Sequence, residues 1–336
     1  MRAAVLVQLN RPLEIWNLEI QQLGIGQVLV QILVSGICGA QVQEIRGNKG
    51  NEKFLPHLMG HEGCGVVEEV GLGVTKVKKG DLVVMHWRSG PGIESSFPVY
   101  SRNGKNLSGG KVTTLSEKSV VSENRLTVIP STTDIELAAL LGCSMSTALA
   151  FIENESNLKF GESVLIIGCG GVGLNLILAA SLRGAGIIVG LDTEESKESL
   201  VKMHGASDFL TNMGLIKNEF DLIIDTTGNL EVLNWAFKRL SGSGRLALIG
   251  QPAPGSTLKL SNALNFFNGQ GQRIQASQGG SFSPHSDIHR YLKLMEMGKL
   301  RAKSLITHRL PLSEVNEAFQ ILNSGSAGRI MIDMNS

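Results

Sequence analysis

Two hydrophobic rhythms divide the chain. Up to about residue 130, apolar positions come in short Val-rich runs: Ala3–Gln8, Gln27–Ser35, Gly65–Val70 and Leu82–His86. Each is bounded by Gly, Pro or Asp, the signature of strands. Gly71-Leu-Gly73 and Lys79-Gly80-Asp81 supply turns between them. Closely spaced strands with polar turns predict a compact β-barrel-like domain. Residues 88–118 break the pattern. They are polar, rich in Gly and Ser, carry Pro91 and Pro98, and show no regular apolar period, so they read as an extended surface loop or lobe.

Beyond residue 134 the rhythm becomes alternating strand and helix. Asp134 is placed to cap a helix running through Glu136–Leu141. Strands are expected at Ser163–Ile167, Gly186–Leu191, Asp221–Ile224 and Arg245–Ile249, and helices at Val172–Arg183, Thr193–His204 and Leu230–Leu240. That alternation predicts a doubly wound parallel sheet, an α/β fold. Two amphipathic helices, Ser286–Met297 and Leu312–Ser324, and a strand at Arg329–Asp333 follow.

Length and composition sharpen this picture. A chain of 336 residues suggests about two domains. With 42% hydrophobic and 18% charged residues it has material for a core. A net charge of +1 points to neither nucleic acid nor an anionic membrane as partner. The four cysteines, at 38, 64, 143 and 169, form no C-x-x-C pair, which excludes compact Cys₄ zinc modules and a disulfide scaffold. Reduced thiols fit a cytoplasmic protein. No secretory signal is read at the N-terminus, where the apolar run is too short. The one apolar stretch of membrane-spanning length, Val164–Leu182, is broken near its start by Gly168, Gly170, Gly171 and Gly173, so no membrane partner is expected.

Those glycines have a chemical explanation. Gly168-Cys-Gly170-Gly171-Val172-Gly173 is G-x-G-x-x-G, set between a predicted strand and a predicted helix. The first glycine permits the tight turn, the second lets backbone approach a pyrophosphate, and the third lets helix and strand pack closely. The helix N-terminus adds free N–H groups and partial positive charge. Asp192 follows the next strand, where a carboxylate accepts ribose hydroxyls and repels a 2′-phosphate. Lys197, about a helical turn further on, is within reach of the same ribose. The pattern selects NAD over NADP.

Cys38, His61 and Cys143 offer two thiolates and one imidazole, a set that suits tetrahedral zinc with an open fourth position. Spacings of 23 and 82 residues carry no local signature, however. Two buried thiols and a core histidine would look the same.

The motifs GICGAQ, LMGHEGCGVVEEVG, LLGCSMSTA and GCGGVG, in this order, resemble the zinc-dependent alcohol dehydrogenases of the medium-chain dehydrogenase/reductase superfamily, and LITHRLPLSEVNEAF and SAGRIMI extend the resemblance towards the C-terminus. It implies a GroES-like catalytic domain over residues 1–145, an NAD-binding Rossmann domain over 146–280, and a C-terminal segment, 281–336, completing the first domain. It implies that Cys38, His61 and Cys143 hold one catalytic zinc per chain, with Glu62 as an alternating or neighbouring carboxylate. Thr147 would lie near the nicotinamide, Arg329 near the pyrophosphate, and Trp87 in the wall of the substrate pocket. The substrate would be a small molecule, an alcohol or carbonyl such as a polyol or sugar derivative, and the assembly a homodimer or homotetramer.

The departures carry information too. Many members hold a second, structural zinc with four cysteines in the lobe, and this chain has none between Cys64 and Cys143. The usual Ser or Thr that passes the alcohol proton is Ala40, the usual Asp that orients the zinc-bound His is Gln41, and the outer His of the relay is Gln43. His57 and His86 are the nearest substitutes for the proton route by motif position. Loss of the relay keeps open a reductase of an activated C=N or conjugated C=C bond. A non-catalytic NAD-binding protein and a zinc-free quinone-reductase-like member also stay open.

Overall fold

The computed structural model describes residues 1–50, 52–259, 264, 267 and 269–336. Its contacts divide the chain into two units, Met1–Ser146 with Ser283–Ser336, and Thr147–Phe282.

In the first unit the longest strand, Gln27–Ile37, is the organiser. Its apolar run is buried along nearly its whole length, which suits a central strand covered on both faces. Strands lie in the order Leu126–Val128, Leu82–His86, Glu62–Val70, Gln27–Ile37, Arg329–Asp333 and Ile306–Pro311, while Lys118–Ser122 also pairs with Gln27–Ile37. Val28, Val30, Ile32, Val67, Val83, Met85, Ile330 and Ile332 fill the core beneath this sheet. Arg329–Asp333 comes from the far end of the chain, yet pairs antiparallel with Gln27–Ile37 and parallel with Ile306–Pro311. Asp134 caps the helix Ile135–Leu140, accepting from the backbone N–H groups of Glu136 and Leu137.

Residues 88–118 are more ordered than the loop their composition predicts. Strands Val99–Arg102 and Lys105–Ser108 form a hairpin that pairs with Glu19–Ile20. Its turn is Asn103-Gly104, both at positive φ, the dipeptide that tight hairpins favour. Tyr100 is fully buried, and its hydroxyl accepts from the N–H of Val120 at 2.9 Å. The hairpin hides from a periodicity search because it is short and one face is polar.

The second unit is a six-stranded parallel sheet in the order Asp208–Leu210, Ile187–Leu191, Ser163–Ile167, Phe220–Asp225, Leu240–Leu248 and Arg273–Ala276. The order runs outward in both directions from the first strand, the doubly wound Rossmann arrangement. The apolar run of membrane-spanning length resolves into the strand Ser163–Ile167, a glycine turn and the helix Gly171–Leu182. No helix among the described residues is long and apolar enough to cross a membrane. The helix expected over Thr193–His204 is a 3₁₀ turn, Glu195–Lys197, followed by Glu198–Met203.

Candidate metal centre and phosphate loop

Three separate turns carry the predicted metal ligands. Cys38 follows the strand Gln27–Ile37 and is the N-cap of the helix Gly39–Ile45. His61 immediately precedes the strand Glu62–Val70. Cys143 lies between the helices Ile135–Leu140 and Ser144–Ala150. Their ligand atoms all lie within 4.8 Å of one another. Gly60, just before His61, has φ +99°, and a Cβ there would sit 2.5 Å from the backbone N of Leu115. Only glycine lets the chain turn into the site at that point.

The electrostatics favour thiolate. Hydrogen bonding with Cys143 is the largest influence on Cys38, and with His61 and the charge of Arg329 it holds the Cys38 thiol well below its ordinary range despite burial. Thiolate is the form that ligates zinc. By contrast, burial pushes the thiols of Cys64 and Cys169 up to about 12, leaving both as inert packing residues. Two sulfurs and one imidazole nitrogen, with no carboxylate in the set, fit zinc and leave a fourth tetrahedral position for a substrate oxygen.

Glu62 is fully buried, and its carboxylate ties the site together. One oxygen accepts from the N–H of Ser144 at 3.1 Å, the residue after Cys143. The other pairs with the guanidinium of Arg329. Strand register explains the pairing: Ile330 lies opposite Ile37, which brings Arg329 level with Cys38. Burial pulls the Arg329 pKa down, whereas Cys38 holds it up. Arg329, expected at a pyrophosphate, is thus only 2% exposed and engaged with Glu62 and Cys38 in the first unit. Charge pairing across 267 residues leaves no trace in local sequence.

Gln41 occupies a different station from the one its motif position suggests. Its carbonyl oxygen accepts from the Cys38 N–H at 2.8 Å, closing a reciprocal capping box with Cys38. Its amide nitrogen is buried without a hydrogen-bond partner. His86 is fully buried, its Nδ1 2.6 Å from the Arg88 carbonyl and its Nε2 3.0 Å from the Thr127 hydroxyl. Burial pulls its pKa down to about 4. Nδ1 of His57 lies 2.9 Å from the Leu58 carbonyl, and its Nε2 lies 3.6 Å from the Glu44 carboxylate. Trp87 is half-buried just past the strand Leu82–His86.

The phosphate loop lies in the second unit. Gly168 has φ +84° after the strand Ser163–Ile167, and Gly170 is the N-cap of the helix Gly171–Leu182. A Cβ on Gly173 would sit 1.9 Å from the Gly168 carbonyl oxygen, so the third glycine is obligatory for the turn to pack on the helix. A Cβ on Gly170 would meet nothing within 4 Å, so the backbone there is open to an approaching phosphate. Val172 lies in the first turn of that helix. Asp192 accepts from the Cys169 N–H at 2.7 Å and from Lys197 Nζ at 2.9 Å, which ties this carboxylate to the loop itself. Thr147 lies on the helix Ser144–Ala150, largely buried.

Comparison with known proteins gives the same reading from an independent direction. The alcohol dehydrogenase GroES-like domain matches residues 24–131, and the zinc-binding dehydrogenase domain matches residues 171–297. The S-(hydroxymethyl)glutathione dehydrogenase of Haemophilus influenzae is 28% identical, with 98% of this chain and 96% of that protein aligned. The enzyme of that name from Saccharomyces cerevisiae is 27% identical, with 98% and 95% aligned. Among solved structures, benzyl alcohol dehydrogenase from Acinetobacter calcoaceticus superposes with a TM-score of 0.88 at 24% identity, covering 99% of each chain. The 2R,3R-butanediol dehydrogenase from Bacillus subtilis does so with a TM-score of 0.78 at 22% identity, again covering 99% of each. At these identities the structural likeness speaks for the fold. The two domain matches, in sequence order and with relatives aligned almost end to end, place the chain in the zinc-dependent alcohol dehydrogenase family of the medium-chain dehydrogenase/reductase superfamily, whose members are NAD-dependent oxidoreductases.

Proposed function

We propose that the protein interconverts an alcohol and its carbonyl compound, with Cys38, His61 and Cys143 holding one zinc ion and the Gly168–Gly173 loop, Asp192 and Lys197 holding NAD. The observation that carries this reading is the convergence of three ligand atoms of the right chemistry from three distant segments. When bound, zinc supplies a Lewis acid for the substrate oxygen and NAD supplies the hydride acceptor. Cys38 and Cys143 contribute negative charge, and His61 the neutral third ligand. Glu62 keeps the turn at Ser144 in place and balances Arg329, so the ligands are held before substrate arrives. Asp192 and Lys197 address the adenosine ribose, Thr147 the nicotinamide, and Trp87 lines the substrate pocket.

The proton route is the unusual part. Ala40 and Gln43 have no proton to pass, and His86 is enclosed by its own hydrogen bonds. Of the two histidine substitutes, His57 beside Glu44 remains. A substrate with neighbouring hydroxyls, such as a polyol or sugar derivative, supplies its own path. The missing hydroxyl at Ala40 also favours a second reading, reduction of an activated C=N or conjugated C=C bond, in which no alcohol proton has to leave.

The deciding experiment is metal analysis of freshly purified protein, followed by NAD(H)-coupled turnover on alcohols, polyols, aldehydes, imines and enals. One zinc per chain with alcohol or aldehyde turnover is expected. Turnover of enals or imines alone supports the second reading, and protein without zinc ends the first.

A further inference from the structure

The segment leaving the strand Leu82–His86 is His86-Trp87-Arg88, and it is gripped from outside the strand at successive residues. The His86 ring spans the Arg88 carbonyl and the Thr127 hydroxyl. Arg125 donates Nη1 to the main-chain carbonyl of Trp87. The Arg125 side chain is only 7% exposed, and its Nη2 reaches both carboxylate oxygens of Glu94, at 2.9 and 3.1 Å. Glu94 also accepts from Asn124 Nδ2 at 2.8 Å and faces Lys111 Nζ at 2.9 Å. The Gly90 N–H donates to the Asn124 carbonyl at 2.7 Å, so the loop from Arg88 to Glu94 folds back on Asn124 and Arg125. Glu94 is the hub, and these donors hold its carboxyl near 2 despite partial burial.

We propose that Glu94 is a positioning residue for substrate: by anchoring Arg125 it fixes the backbone of Trp87 and so aims the indole at the substrate. The inference rests on the reading that Trp87 lines the pocket. A main-chain carbonyl held by a charged, buried donor has little freedom. The direction of Cα–Cβ at Trp87 follows from that carbonyl, and the bulky indole then has few rotamers left. Without the Glu94 charge, the buried guanidinium of Arg125 loses its counter-ion and is drawn towards water, away from Trp87. The lobe residue therefore governs which substrates fit without touching any of them.

The test is a double-mutant cycle between Glu94→Gln and Trp87→Ala, read as the ratio of kcat/KM for the best aromatic and the best short aliphatic alcohol of the panel. Glu94→Gln is expected to shift that ratio by about fivefold, chiefly through KM, and to add nothing further in the Trp87→Ala background. Trp87 emission, isolated as the difference from Trp87→Phe, gives a readout that needs no turnover and is expected to shift with Glu94→Gln. Additive effects, or an unmoved Trp87 emission, overturn the proposal. A wild-type ratio in Trp87→Ala itself overturns the pocket reading beneath it. If Glu94→Gln does not fold, Glu94→Asp, whose shorter carboxylate cannot span both Arg125 contacts and the Asn124 amide, carries the same comparison.

Discussion

His86 shows how much a single residue's meaning depends on what closes around it. By motif position it is a natural proton carrier, yet both ring nitrogens are satisfied and burial brings its pKa from 6.5 to about 4. In the unfolded chain it protonates near 6.5. As pH falls through the window from 6.5 to about 4, the unfolded state binds the proton first and the fold loses stability. The lost stability should reach about 3 kcal/mol at the bottom of that window. Urea unfolding of wild type and His86→Gln at pH 7 and pH 4.5 checks this: wild type should lose more stability on acidification. At this scale the sequence was legible where a motif surrounds the residue: GICGAQ and LLGCSMSTA mark Cys38 and Cys143, whereas residue type alone does not set them apart from Cys64 and Cys169. It was not legible where a partner decides. Arg329 is a cation by sequence, and only the sheet register shows that it faces Glu62 and Cys38.

Among elements, the glycine turn was the most legible because its chemistry is local. Strand, turn and helix follow one another within twenty residues, and every requirement is one of backbone geometry. Gly173→Ala would drive a Cβ to within 1.9 Å of the Gly168 carbonyl. NADH affinity, followed by cofactor fluorescence, should fall by about tenfold or more, while zinc content stays unchanged. The lobe hairpin offered one local signal, its Asn103-Gly104 turn, and was otherwise hard to read for the opposite reason. Its cohesion comes from Tyr100 reaching Val120 and from Glu94 receiving Asn124, Arg125 and Lys111, contacts between residues far apart in sequence. The lobe carries no cysteine, and side-chain charge and a buried phenol hold it, so metal removal should leave its structure intact.

Over the whole molecule, chemistry divides between two units of contrasting architecture. All three candidate metal ligands lie in the first unit, and the glycine loop, Asp192 and Lys197 lie in the second. Cys38→Ser should therefore abolish turnover while NAD affinity, measured by titration calorimetry, stays within about threefold of wild type. A large loss of NAD affinity would show that the units do not share the work in this way. The alternation of strands and helices made the middle of the second sheet readable, whereas its edge strands Asp208–Leu210 and Arg273–Ala276, short and only partly buried, went unread. The first was readable as strands but not as a sheet, because one of the neighbours of its central strand comes from about 290 residues further along the chain.

That long-range pairing sets an order of events during synthesis. The unit Thr147–Phe282 is one unbroken stretch and can complete as it leaves the ribosome. The central strand Gln27–Ile37 gains Glu62–Val70 and Lys118–Ser122 early, but its Val34–Ile37 end lacks a neighbour on one side until Arg329–Asp333 is translated. Until then it presents an apolar, unpaired edge, the kind that recruits other chains. Glu62 meanwhile waits without Arg329, so the surroundings of the candidate metal centre are completed last although Cys38 and His61 are made early. A nascent chain stalled before residue 329 would carry the whole glycine-loop unit and yet be a client for chaperones.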